Sequence, residues 1–163
     1  AYHSALELLG DAHSTWNNYT VFVDSYRREI HLENAQVKFL SYPKILHSNN
    51  AQKIGTHKIE RHGKWLITTG EERTLVEGFR NPQYTGGVEE LLQSASGFSV
   101  LDLDLLEKVL HKYDALRLWS AVGWFLDNFQ KTFHVPDSYL ARLEIHKPLS
   151  PTYRCEASVE GNW

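Results

Sequence analysis

The sequence predicts an α+β domain: a small antiparallel sheet of about five strands, followed by a layer of three to four helices. Two textures carry that reading. Between Tyr19 and Thr69, Tyr, Val, Phe, Ile and Thr recur with partial alternation, as a half-buried sheet requires. From Glu71 onward, apolar residues recur at intervals of three and four, the period of helices with one buried face. Strands first and helices afterwards point to segregated layers, not to a parallel sheet with interleaved helices. The 163 residues make one domain, and 42% apolar with 23% charged residues is ordinary for a soluble globular protein.

His3 to Leu9 (HSALELL) reads as an entry helix with Leu6 and Leu9 on one face and Gly10 as its C-cap. Five strand-like segments follow: 19–23, 28–32, 36–42, 55–60 and 63–69. Glu33-Asn34 and Arg61-His62-Gly63 supply turns between neighbours, giving two hairpins or a short meander. Four helical patterns come next. They run through Leu75 and Phe79; through Val88, Leu91, Leu92 and Ala95; through Leu103, Leu106, Leu110 and Tyr113; and through Leu118, Val122, Phe125, Leu126, Phe129 and Phe133. Asp102 is placed to cap the third and Asp104 to sit in its positively polarised first turn. A short helix near 137–143 follows Pro136, with Asp137 as an N-cap, and the tail from Lys147 returns as an edge strand through RCEASV.

Several functions are disfavoured at this level. The lone Cys155 forms no internal disulfide and shares no zinc with a second thiol. A net charge of −3 argues against a chain built mainly to hold a phosphate backbone. No apolar run approaches the ~20 residues that cross a bilayer, and no signal peptide stands at the start, so a cytoplasmic protein with no membrane partner is expected. The nine histidines are dispersed; His57 and His62, the closest pair, are an odd number apart and fall on opposite faces of a strand. Asp137, Glu144 and Lys147 resemble a nuclease's acidic pair and lysine, but two residues separate Glu144 from Lys147 where that motif has one. No nucleophile elbow is present. Catalytic residues, metal and cofactor are therefore expected to be absent, and the chain is expected not to be an enzyme.

Two surfaces stand out instead. Arg27, Arg28, Lys58, Arg61 and Lys64 give the sheet a mildly basic side, the place where this chain would touch nucleic acid if it does so. Trp119 and Trp124 lie partly off the main apolar stripe of their helix, which makes them either core or a face for a partner.

The stretch GEERTLVEGFRNPQYTGGVEELLQ (70–93) reads as a corner between helices. Pro82 holds Asn81 out of helical conformation, and Gly86-Gly87 supplies a junction that tolerates positive φ. Their amides at a helix start offer an alternative anion site, though the spacing and lysine of a phosphate loop are missing. Arg73 is expected to anchor the helix end or the Asn81–Tyr84 loop.

These residues also carry a resemblance. Arg73, Thr74, Leu75, Pro82, Tyr84, Gly86 and Gly87, with Glu77 where an aspartate is common, and then Val122, Gly123, Trp124, Phe125 and Leu126, resemble the antitoxin region of the AbiEi family. Those proteins are antitoxins and transcriptional autoregulators of bacterial type IV toxin–antitoxin systems in abortive infection, that is, phage defence. The opening YHSALELLG is similar to the helix that follows their winged helix. The resemblance implies a C-terminal antitoxin domain opposing a nucleotidyltransferase-like toxin, by contact or through expression. It further implies operator DNA bound by an N-terminal winged helix-turn-helix that this sequence lacks. A chain without methionine agrees with a segment of a longer protein. A divergent nuclease-like domain and an accessory DNA-binding surface are the alternatives.

Overall fold

The computed structural model describes residues 1–47 and 51–146. The expected tail strand, Lys147 and Cys155 lie outside the described residues. In chain order the elements are α1 (His3–Leu9), β1 (Asn18–Val23), β2 (Ile30–Leu32), β3 (Ala35–Ser41), β4 (Thr56–Arg61), β5 (Lys64–Thr69), α2 (Glu71–Arg80), α3 (Val88–Ser96), α4 (Leu103–Tyr113), α5 (Leu116–Asn128) and α6 (Asp137–Glu144). Short 3₁₀ turns cover Lys44–Leu46, Ala51–Lys53 and Pro82–Tyr84. The class is α+β, with five helices after the strands among the described residues instead of three to four; the four apolar patterns and the short 137–143 segment each form one.

The five strands do not form one antiparallel sheet. They split into a three-stranded sheet, ordered β1-β3-β2, and the β4–β5 hairpin. Within the first, β3 pairs antiparallel with β2 across Glu33-Asn34 but parallel with β1, Asn18 opposite Gln36 through Val23 opposite Ser41. Linker 24–29 carries the chain back before β2, and the seven-residue β3 pairs along all six residues of β1 but with only the three of the exposed β2. In the hairpin, His62 (φ 51°) and Gly63 (φ 73°) make the two-residue turn, both in the left-handed region that such tight turns demand.

A physical cause for the split lies at the outer edge of β1. The Thr20 amide donates to Ser4 Oγ (2.8 Å) and the Thr20 hydroxyl to the Ala1 carbonyl (2.6 Å). The first turn of the chain therefore covers the edge at which β5 would have had to pair, and α1 packs on both strands from one side.

Helix α2 sits at the centre. Every residue from Glu72 to Phe79 is buried, and α1, α3, α4 and α5 all pack on it. Full burial of Leu75, Val76 and Phe79 stabilises the fold by about 1.5–3 kcal/mol each. Gly78 lets α3 approach: a Cβ there would stand 2.5 Å from Leu91 Cδ1. Helix α4 begins as its sequence indicates, with Asp102 accepting the Leu105 amide at 2.9 Å. Helix α5 ends at Asn128, short of the full apolar stripe, yet Phe129 and Phe133 still stack on Phe125 with centroids 4.8 and 5.7 Å away. At α6, Pro136 occupies the N-cap position and Asp137 is the first helical residue, its carboxylate accepting from Gln130 Nε2 (2.5 Å). No helix among the described residues is long and apolar enough to cross a membrane.

Candidate functional site

The 70–93 stretch forms a corner. The Asn81 side-chain oxygen accepts from the Tyr2 hydroxyl and from Arg80 Nη1, each at 2.9 Å. Pro82 and Tyr84 make the 3₁₀ turn, Thr85 Oγ1 donates to the Pro82 carbonyl (2.9 Å), and Gly86 (φ 86°) and Gly87 (φ 96°) swing the chain into α3. Gly87's amide donates to the Pro82 carbonyl (2.9 Å), so it is not offered to an anion. Trp16 lies where a side chain at Gly86 would project, and its ring stacks on His3 at 4.6 Å. Tyr84 packs against Tyr2 at 5.1 Å.

Arg73 is wholly buried, and it anchors a different segment from the expected one. Its Nη1 donates to the carbonyls of Gln52 (2.6 Å) and Ile54 (3.0 Å), pinning the turn that precedes β4 and not the Asn81–Tyr84 loop. Its Nε donates to Glu77 Oε1 at 2.8 Å, and the Tyr113 hydroxyl from α4 donates to the same oxygen at 2.6 Å. Burial is the largest single influence and works against the Arg73 charge, but Glu77 and Tyr113 together, through charge and hydrogen bonding, outweigh it and raise the guanidinium's pKa. Burial, reinforced by Glu77, pushes the Tyr113 hydroxyl far above its ordinary value. Thr74 joins the same interior through its hydroxyl, 2.7 Å from that of Thr69. One donor and one acceptor are left over: Arg73 Nη2 and Glu77 Oε2 make no hydrogen bond of ordinary geometry. A buried polar atom in that state costs about 1–3 kcal/mol.

Arg73 also forms part of the wall of a cavity of about 670 Å³ that occupies the gap between the two sheets. Consecutive residues of β1 (Tyr19 to Phe22) and of β5 (Leu66 to Thr69) line it, so both strands meet the cavity along their edges. Buried Thr20, Thr68, Thr69 and Arg73 mark its inner end, and the exposed Tyr19, Val21 and Leu66 its mouth. Phe22 lies over Arg73, Cζ 5.9 Å from the ring centroid, and stacks on Tyr42 at 4.9 Å. The volume, the apolar walls and the few convergent polar groups are those of a small-molecule site.

The basic residues do not gather into one surface. Arg27 and Arg28 lie in linker 24–29, beside the three-stranded sheet, whereas Lys58, Arg61 and Lys64 belong to the hairpin. Even there, Lys58 shares a face with Glu60, Trp65 and Ile67, while Arg61 and Lys64 are paired on the opposite face. Arg61 Nη2 donates to the Leu8 carbonyl at 3.1 Å. The hairpin's outer face is notable for apolar exposure: Trp65 is 70% and Ile67 74% exposed.

Trp119 is inside the protein, 3% exposed, stacked on His146 at 3.9 Å and edge-on to His111 at 4.8 Å, so it offers no partner surface. Trp124 is half-buried against the core and Gly123 is buried within α5. Asp137 and Glu144 stand two turns apart on α6, about 10 Å along its axis, and do not converge on one ion.

His57, Glu71 and Glu72 each offer one ligand atom, all within 4.8 Å of one another. Spacing did not reveal this group because the hairpin brings His57 to the start of α2. Its chemistry is already partly spent, since Glu72 Oε1 accepts the Asp102 amide at 2.8 Å.

Of the site's residues, the motif was visible in the sequence, whereas the partners of Arg73, the Trp16 lid over Gly86 and the Trp65–Ile67 face were not singled out. Alternation in GKWLITT was the signal for the last. No protein-family model matches the chain, and no curated protein matches it.

Proposed function

We propose that this chain is the antitoxin-type domain of an AbiEi-like transcriptional autoregulator. It acts in the cytoplasm, without catalysis, against a nucleotidyltransferase-like toxin, and a winged helix-turn-helix N-terminal to this sequence binds operator DNA. One observation supports the reading above others: Arg73, Thr74, Leu75 and Glu77 are all buried and Arg73, Thr74 and Glu77 are bonded into the interior, so the motif serves as scaffold and leaves action to the surface. The surface best suited to a protein contact is the hairpin face of Trp65 and Ile67, since exposed aromatic and aliphatic side chains anchor interfaces.

The test is rescue. Residues 1–163 are expressed in cells that carry the neighbouring gene under an inducible promoter, and survivors are counted. Survival is expected with the natural sequence. The Trp65→Ser/Ile67→Ser double variant is expected to stay folded and to rescue at least tenfold fewer cells. Death of cells holding a soluble, folded fragment would overturn the assignment of antitoxin activity to this domain.

A further inference from the structure

We infer that the cavity between β1 and β5 binds a small apolar molecule carrying an uncharged carbonyl oxygen, and that Arg73 Nη2 is the donor that recognises it. The inference does not depend on the antitoxin reading.

Arg73 commits Nε and Nη1 to Glu77, Gln52 and Ile54, which leaves Nη2 as a buried donor with nothing to receive its proton. An acceptor oxygen delivered through the cavity completes the guanidinium's bonding. The oxygen must be neutral. Glu77 already balances the Arg73 charge at 2.8 Å, and a carboxylate brought beside that pair would set a second negative charge in a desolvated place, next to an unpaired carboxylate oxygen. Amides, lactams, lactones and ketones meet the condition, whereas acids and hydrocarbons do not.

The body of the ligand follows from the walls. Tyr19, Phe22, Tyr42 and Leu66 present aromatic and aliphatic surface, and about 670 Å³ is ample for a one- or two-ring molecule. Nη2 is itself buried, so the wall must yield for the oxygen to reach it, and Phe22, a wall residue, has its ring over the guanidinium, 5.9 Å from Cζ.

Three probes of nearly equal size separate the possibilities: 2-phenylacetamide, phenylacetate and ethylbenzene, titrated into ¹⁵N-labelled residues 1–163 and followed by amide and Arg Nε–H chemical shifts. For the amide, a dissociation constant on the order of 1 mM is expected for so small a ligand. Perturbations should centre on Thr20, Thr69 and the Arg73 Nε–H. The acid and the hydrocarbon should bind at least fivefold more weakly. Val21→Trp, at an exposed position of the mouth, should keep the spectrum of a folded protein and abolish the shifts; Leu66→Trp serves the same purpose from the opposite wall. Equal binding of all three probes, or tighter binding of the acid, would overturn Arg73 as the recognising donor. Absence of cavity shifts at 10 mM amide, or their persistence in both blocked variants, would overturn the cavity as the site.

Discussion

Arg73 and Glu77, one turn apart on α2, are both fully buried and are joined by a 2.8 Å bond from Nε to Oε1. A charged pair at the centre of a domain stabilises only as a pair, because removing one partner strands the other charge without water. Arg73→Ala should therefore cost about 3–5 kcal/mol, more than a typical core truncation of a neutral residue, and should release the 51–54 turn. The Arg73→Met/Glu77→Leu double variant should be more stable than either single one. Urea denaturation of the four proteins measures this, and a double variant as unstable as the sum of the singles would refute it.

Tyr113 gives α4 its hold on that pair. Tyr113→Phe removes a hydrogen bond to a buried carboxylate and should cost about 1.5–3 kcal/mol. It should also change the alkaline limb of the stability curve. The hydroxyls of Tyr113 and Tyr2 are held protonated in the folded state, that of Tyr2 up to about 12, by burial first and Glu77 second. Unfolded tyrosines ionise near ~10, so above that pH the unfolded state binds fewer protons and stability falls as pH rises. Denaturation midpoints between pH 9 and 11 should decline less steeply in the Tyr113→Phe variant than in the natural protein.

Glu90 ties three segments at its carboxylate: His3 of α1 (3.3 Å), the Ser14 amide (3.0 Å) and Ser94 of its own helix (3.3 Å). Burial alone would push its carboxyl up, but the Ser14 and His3 bonds to the charged form bring it below its ordinary value. The contribution is thus present above the ordinary carboxylate pKa, near ~4.3, and is lost as pH falls from there through the depressed value. Glu90→Gln should lower stability at pH 7 and flatten the loss between pH 4.5 and 3, as thermal melts across that range would show.

Alanine is a better helix former than glycine by about 1 kcal/mol, yet Gly78→Ala should destabilise. The new Cβ would press on both methyls of the buried Leu91, Cδ1 at 2.5 Å and Cδ2 at 2.8 Å, and overpacking of that kind costs about 1–3 kcal/mol. Leu91→Val in the same chain should recover part of the loss. A Gly78→Ala protein that melts higher than the natural one would show that α3 yields without penalty.

Much of the fold was legible because its cues are local. Gly10 caps α1 with φ 92°, Asp102 caps α4 through its own side chain, and both tight turns fall where the sequence puts them, His62-Gly63 with positive φ at both residues and Glu33-Asn34 without it. What escaped depends on residues far apart in sequence. The division into two sheets follows from Ala1 and Ser4 occupying the edge of β1. The central place of α2 was hidden by its polarity, since EERTLVEGFR reads as a half-wet helix until Glu77 is seen to pair with Arg73 and Tyr113. In α5, Trp119 lies off the apolar stripe and left core and partner face open; the core alternative holds, with His111 and His146 packed over the ring. For the candidate site, the anchoring role of Arg73 could be read from its chemistry, while its targets at 52 and 54 could not, as nothing in the spacing links the two stretches.

The wiring of α2 also dictates how the chain can come together. Its buried charges are completed from both directions, by carbonyls at Gln52 and Ile54 upstream and by Tyr113 downstream. Neither the strand half nor the helical half holds a full set, so α2 cannot leave water until both have arrived. Folding is therefore expected to be all-or-none across residues 52–113, and a chain divided between β5 and α4 is expected to yield two pieces that are each unfolded alone and structured only when mixed.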